Sequence, residues 1–293
     1  MTSIVVIIPT IGRKAVLNRL LAHLEEQESL PDEVIVSAPE QLDVEPYEPK
    51  HYKIQYVFGG RGLCVQRNRA MEHALPHHDI ITFMDDDFLP AHNYLGHLRQ
   101  HFDNNPRWAA ISGLVILDGA DRGGVPFEDG IAALRNHQHS SSPGGVMDQP
   151  GLYGCNMSVR AAMVGDTRFD ERLPLYGWQE DIDFSSQFRQ RGRVVTIDTL
   201  IGVHLGAQGG RASGLRLGYS QVVNPTYLIK KGTMPVRFGL RLMLRNLAAN
   251  VAGSLWPNHG IDRRGRLRGN LLGLRHILVG RLEPEHITAL PPQ

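Results

Sequence analysis

Three consecutive carboxylates, Asp85-Asp86-Asp87, close an apolar run at Phe83-Met84. Packed together at the end of a buried strand, they repel one another unless a counter-charge stands among them. A hard divalent cation bridging a diphosphate supplies that charge, and oxygen donors suit Mn2+ or Mg2+. The competing reading is an acidic turn that merely ends the strand. A second acidic group lies far downstream, in Tyr176-Gly177-Trp178-Gln179-Glu180-Asp181-Ile182-Asp183. Acids at a helix start ordinarily cap it and face its dipole, which accounts for one or two of these. Transfer onto a hydroxyl also needs one carboxylate to take the hydroxyl proton, and Asp181 is the candidate. Two glycine-rich segments carry arginine: Gly59–Gly62 with Arg61, and His204–Arg211. Arg61 can present a two-pronged donor to phosphate oxygens, or it is simply a surface residue. The segment ending at Arg211 can fold over a diphosphate and shield it, with Arg211 or Arg216 offsetting leaving-group charge. It is equally an ordinary connection to the C-terminal helices.

These groups need elements to hold them. Ser3–Ile8 is a short, unbroken Ile/Val run stopped by Pro9, the pattern of a strand buried on both faces. Arg13–Gln27 carries Val16, Leu17, Leu20, Leu21 and Leu24 at helical spacing. Glu33–Ser37, Ile54–Phe58 and Ile80–Met84 read as further strands, with a helix over Cys64–Ala74. This β-α-β-α-β order predicts a doubly wound, mostly parallel α/β sheet with its site at the strands' C-terminal ends. Trp108–Leu117 and Arg193–Ile197 read as later strands and Asp181–Arg191 as a helix, while Asp118–Pro150 is loop-rich.

Taken in order, the segments resemble family 2 glycosyltransferases of the GT-A fold. The matching pieces are Val6-Ile7-Ile8-Pro9-Thr10, Gly62–Ala70 around Arg67-Asn68, Asp85–Asp87, Cys155–Arg160, Phe169-Asp170-Glu171 and Glu180-Asp181. The resemblance spans residues 3 to about 205. It implies an inverting transfer from a nucleotide diphosphate sugar, with UDP the commonest donor nucleotide in the family. Pro9 and Thr10, and with them Arg13, are then expected beside the donor, and Arg67 and Asn68 facing the nucleotide. Asp85 and Asp87 correspond to the outer acids of the metal-holding DXD motif, and Asp86 to a ribose or sugar contact. Asp181 matches the catalytic base, Glu180 an acceptor-orienting residue, and His204 a third metal ligand. For His204 a purely structural role is the alternative. The second strand ends in Val36-Ser37-Ala38-Pro39-Glu40, without the aspartate that commonly recognises the base in this family.

The 293 residues carry a net charge of +1, distributed unevenly. Between Lys230 and Arg281 stand eleven basic residues and one acid, Asp262, a net +10 that leaves −9 elsewhere. Such segregation implies two jobs, a catalytic domain over 1–228 and a basic amphipathic helical region over 229–293. Arg237, Arg241 and Arg245 recur every fourth residue, which suits an anionic membrane surface; a solvated basic face is the alternative. No nucleic-acid-binding pattern accompanies the charge. With two cysteines, no signal-peptide pattern and no long apolar span, the expected place is the cytoplasm, peripheral on the inner face of the plasma membrane. The expected acceptor is a saccharide, free or carried on a polyprenyl diphosphate. Competing functions are a sugar-phosphate nucleotidyltransferase, a non-catalytic sugar-nucleotide sensor and a membrane-surface adaptor.

Overall fold

Strand β1 (Ile4–Pro9) explains its own composition. Ile4, Val6 and Ile8 face one hydrophobic cluster, and Val5 and Ile7 face another on the opposite side of the sheet. With both faces covered, nothing favours polar residues at alternate positions. The computed structural model describes residues 2–120, 123–137, 145–207, 213–256 and 261–292. Helix α1 (Lys14–Leu24) covers the first face through Leu17, Leu20, Leu21 and Leu24. Strands β2 (Glu33–Ala38) and β3 (Lys53–Phe58) follow. Helix α2 (Leu63–Ala74) then covers the second face with Cys64, Ala70, Met71 and Ala74. Strand β4 (Ile80–Met84) completes a parallel block in the order β3-β2-β1-β4.

The rest of the sheet is mixed. Next in the chain come β5 (Phe88–Pro90), α3 (Tyr94–Asn104), β6 (Trp108–Asp118), α4 (Phe127–His137), β7 (Val146–Asp148), β8 (Asn156–Arg160), α5 (Glu180–Ser186) and β9 (Arg193–His204). The sheet runs on from β4 as β8-β6-β9-β5, with β7 also on β9. Only the β6–β9 pair of this half is parallel. The architecture is thus mixed α/β, with nine strands among the described residues flanked by helices, and the parallel reading describes its first half.

Two segments differ from the sequence reading. The loop-rich stretch contains α4, whose Phe127, Ile131 and Leu134 pack around Leu89, Val203 and Leu205. Those three positions have helical spacing, but the glycines and prolines around them obscured it. The strand expected over Arg193–Ile197 continues to His204 because Leu200 and Val203 are buried between β6 and β5. Gly202 hid this continuation. A Cβ there would fall 2.0 Å from the Phe88 ring, so only glycine lets β5 lie against β9.

Helices α6 (Gly214–Lys231), α7 (Val236–Leu255) and α8 (Arg263–Leu278) pack on one another. The domain boundary expected after residue 228 falls inside α6. The Asp262 side chain caps α8, accepting from the Gly265 N–H at 2.7 Å. Helices α6 and α8 cross closely, since a Cβ on Gly269 would lie 2.1 Å from the Leu215 carbonyl oxygen. Among the described residues no helix is long and apolar enough to cross a membrane.

Candidate active site

The parallel half of the sheet delivers the acidic triplet. Strand β4 ends at Met84, and Asp85–Asp87 emerge beside Pro9 and Thr10 at the end of β1. Antiparallel pairing of β5 with β9 sets Phe88 opposite His204. Ligand atoms of Asp85, Asp87 and His204 consequently all lie within 4.8 Å of one another. Two carboxylates and one imidazole fit Mn2+ or Mg2+ by donor type. The His204 Nδ1 lies 2.9 Å from Asp118 Oδ1, which leaves Nε2 as the ring atom toward Asp87, 3.5 Å from its Oδ1. Burial alone would lower the His204 pKa, but bonds to Asp118 and Asp87 overcome it and push it up to about 10. A metal ion would displace that proton, because only the neutral ring ligates.

Asp118 was not foreseen. It ends β6 opposite His204 in the β6–β9 register and also receives the Tyr153 hydroxyl at 3.0 Å. A carboxylate on the far nitrogen of a ligating histidine fixes its tautomer and orientation. Asp118→Asn is therefore expected to weaken Mn2+ binding by about 10–100-fold in a calorimetric titration. An unchanged affinity would remove Asp118 from this role.

Asp86 and Arg13 form their own pair. Asp86 is fully buried, accepting from Thr10 Oγ1 at 2.6 Å and from Arg13 through both Nε, at 3.0 Å, and a terminal nitrogen. Burial raises its pKa to about 7 even though Arg13 opposes the rise. Asp86 therefore braces the triplet from beneath, and no part of it reaches solvent. Arg13 also touches Asp87 and the Ala207 carbonyl, and so ties β1 to the segment after β9.

The second acidic cluster meets the first through Arg67. This arginine is 1% exposed on α2. Its guanidinium donates to Asp85 Oδ1 at 2.9 Å, to the Gly154 carbonyl at 3.0 Å and to Glu180 Oε1. The N–H of Gly154 in turn donates to Asp181 Oδ2 at 2.9 Å. A Cβ at Gly154 would fall 2.9 Å from the Asp181 Cβ, so glycine is what lets α5 approach this closely. Gln179, at the start of α5, holds a left-handed φ of 75°, a strained turn that aims Glu180 and Asp181 inward. Burial raises the pKa of both: Glu180 to about 8, helped by repulsion from Asp181, and Asp181 above its ordinary value despite N–H bonds from Ile182 and Gly154.

Other expected positions lie differently. Arg67 is buried among its acidic partners. Asn68 is buried as well. Its amide donates to the Phe169 carbonyl and Glu171 and accepts from the Phe169 N–H, pinning α2 to the 169–171 segment. Pro9 is buried in register with Ser37, and the Thr10 carbonyl accepts from Gln66 at 2.8 Å. Arg61 is exposed in its turn. Arg211 lies outside the described residues. A further network was missed: Lys231 on α6 donates to Asp183 and Asp170, each at 2.7 Å. Its position in the basic tail gave no hint of acidic partners so far back in the chain.

Residues 5–126 match the family described as Glycosyl transferase family 2. No curated protein matches the chain in sequence. Among solved structures, residues 1-349 of S. aureus TarS, in complex with UDP-GlcNAc, superpose with a TM-score of 0.58 at 14% identity, covering 99% of this chain and 84% of that one. The mannosyltransferase PcManGT from Pyrobaculum calidifontis, in complex with GDP-Man and Mn2+, gives 0.51 at 16% identity, covering 98% and 85%. Against the longer S. aureus TarS structure the chain spans 40% of that chain's length. At these identities the likeness is one of fold, the GT-A arrangement of a mixed sheet with flanking helices.

Proposed function

We propose that this chain, a glycosyltransferase of the family 2 type on a GT-A fold, moves a sugar from a nucleotide diphosphate donor to an acceptor hydroxyl with inversion. One observation carries the reading: Arg67 joins the Asp85–Asp87–His204 group to Glu180 and Asp181, so metal-type donors and a base candidate share one network. Asp85, Asp87 and His204 would hold Mn2+ or Mg2+. When bound, the ion neutralises charge on the departing nucleotide diphosphate. Pro9, Thr10 and Arg61 lie near the strand ends where the nucleotide would rest, with UDP the favoured donor nucleotide by family habit.

Asp181 takes the acceptor proton as that oxygen attacks the anomeric carbon and the bond to the diphosphate breaks on the other side. Two backbone N–H bonds, from Gly154 and Ile182, hold its carboxylate still. Its burial-raised pKa makes it a better base near neutral pH. Glu180, fixed by Arg67, orients the acceptor. The acceptor we favour is a lipid-linked saccharide at the cytoplasmic face of a bacterial membrane, met by a chain resting on that surface. In support, α6, on which the basic helices α7 and α8 pack, adjoins the base segment: Asn224 donates to the Trp178 carbonyl at 2.8 Å, and Lys231 reaches Asp183. A nucleotidyltransferase would need a free basic loop after β1, whereas Arg13 is engaged with Asp86.

The test is calorimetry with UDP, GDP and TDP sugars, each with and without Mn2+. One donor is expected to bind only with the metal. Binding of none of them would overturn the proposal.

A further inference from the structure

Helices α7 and α8 are built the wrong way round for water. The only buried residues of α7 are Gly239 and Asn250, and those of α8 are Gly269, Asn270 and Gly273. At the centre of their shared interior with α6 lies a polar network. Asn250 donates to Gln221 Oε1 and to Asn270 Oδ1, both at 2.8 Å, and Asn270 donates to the Gly218 carbonyl at 2.7 Å. Leu272 and Ile277 of α8 pack on Tyr219 and Val223 of α6, but many of the other apolar side chains point outward. On α7, Val236, Leu240, Leu244, Val251 and Leu255 are exposed at i, i+4, i+8, i+15 and i+19, an arc of about 100° at 3.6 residues per turn. Trp256 follows at 76% exposure. On α8, Leu271 and Leu278, the latter 86% exposed, alternate along one face with Arg268 and Arg275.

A water-facing helix buries its leucines and exposes its polar side chains. Small residues and amides inside with leucines outside is instead how helices pack when their surroundings are apolar. Among the described residues a span is excluded, since no helix is both long and apolar enough to cross a bilayer. Charge settles the remaining choice. Arg237, Arg241 and Arg245 are exposed along the edge of the α7 stripe, where a second copy of this face would meet them with like charge. An anionic headgroup layer meets them with opposite charge.

We propose that the α7–α8 pair lies in the interface of an anionic bilayer, with its leucine stripes and Trp256 below the headgroups and its arginines among them. This goes beyond electrostatic adsorption, which the basic charge alone would give, and it does not depend on the sugar-transfer reading. Flotation of the full chain tests it, using phosphatidylcholine vesicles with and without phosphatidylglycerol, at low and high salt. The expected result is binding to the anionic vesicles that high salt weakens but does not abolish. Trp256 emission should shift to the blue and be quenched by brominated acyl chains, and Trp256→Phe should remove that shift. Leu244→Glu and Leu278→Glu should each lower partitioning about tenfold or more, with Mn2+ binding unchanged. Failure to float with either vesicle overturns the inference, whether the chain is then a monomer or a dimer that Leu278→Glu dissolves. Binding that high salt removes entirely, with Trp256 emission unmoved, overturns insertion.

Discussion

Asp181→Asn is expected to lower the rate of sugar transfer by about 10²–10⁴-fold while donor and Mn2+ affinities stay within twofold or so of the native chain. The substitution keeps the shape of the side chain, which matters because Gly154 leaves no spare room beside it. It removes the capacity to accept a proton, and it replaces one of the two oxygens that accept from the Gly154 and Ile182 N–H groups by an NH2. Asp181 touches neither the metal-type group nor the nucleotide end of the sheet, so binding has no reason to change. The pH profile adds a second readout. Burial raises the pKa of Asp181 and lifts Glu180 to about 8, and only the ionised carboxylate can act as base. Transfer by the native chain should therefore fall as pH drops through a range above that of a free carboxylate. The residual activity of Asp181→Asn should lack that limb. If donor affinity collapsed along with the rate, Asp181 would belong to the binding machinery and the base would have to be sought elsewhere.

The positions of these acids were legible in the sequence because each ends or begins an element with a clear signature. A strand buried on both faces reads as an unbroken Ile/Val run, and β4 placed Asp85–Asp87 without ambiguity. What stayed hidden was pairing across long separations. Asp118 and His204 meet only because β6 and β9 share a register, Tyr153 joins them from the segment before β8, and no local pattern encodes a register. Lys231 was counted with the basic tail, yet its partners Asp170 and Asp183 flank the base segment. Arg67 and Asn68 sit side by side in a recognisable stretch, but helix rotation sends one to the acids and the other to the 169–171 turn. The inside-out helices were hidden for a different reason. Charge showed that α7 and α8 were basic, whereas which face is buried depends on glycines that allow close contact with α6.

Arg67 carries the second large expectation. Its buried guanidinium is the cation shared by Asp85 and Glu180, and removing one member of a buried ionic group strands the others. Arg67→Met should therefore cost about 3–5 kcal/mol of stability, read as a lower denaturant midpoint. Arg67→Lys should recover only part of this, because an ammonium lacks the fork that reaches both acids and the Gly154 carbonyl. The sign of the pH dependence follows. In the methionine variant Glu180 loses the cation that opposes burial, so its folded-state pKa rises further above its unfolded value. The folded state then holds a proton the unfolded chain has released. Stability must fall as pH rises through that window and recover below the ordinary carboxylate range. Glu180→Gln in the same background removes the stranded charge, and the double variant should be more stable than Arg67→Met alone, a coupling a double-mutant cycle measures directly. Additive losses would mean that Arg67 and Glu180 are held independently. The two halves of the site would then be neighbours rather than one assembly, and the observation on which the transfer reading rests would lose its force.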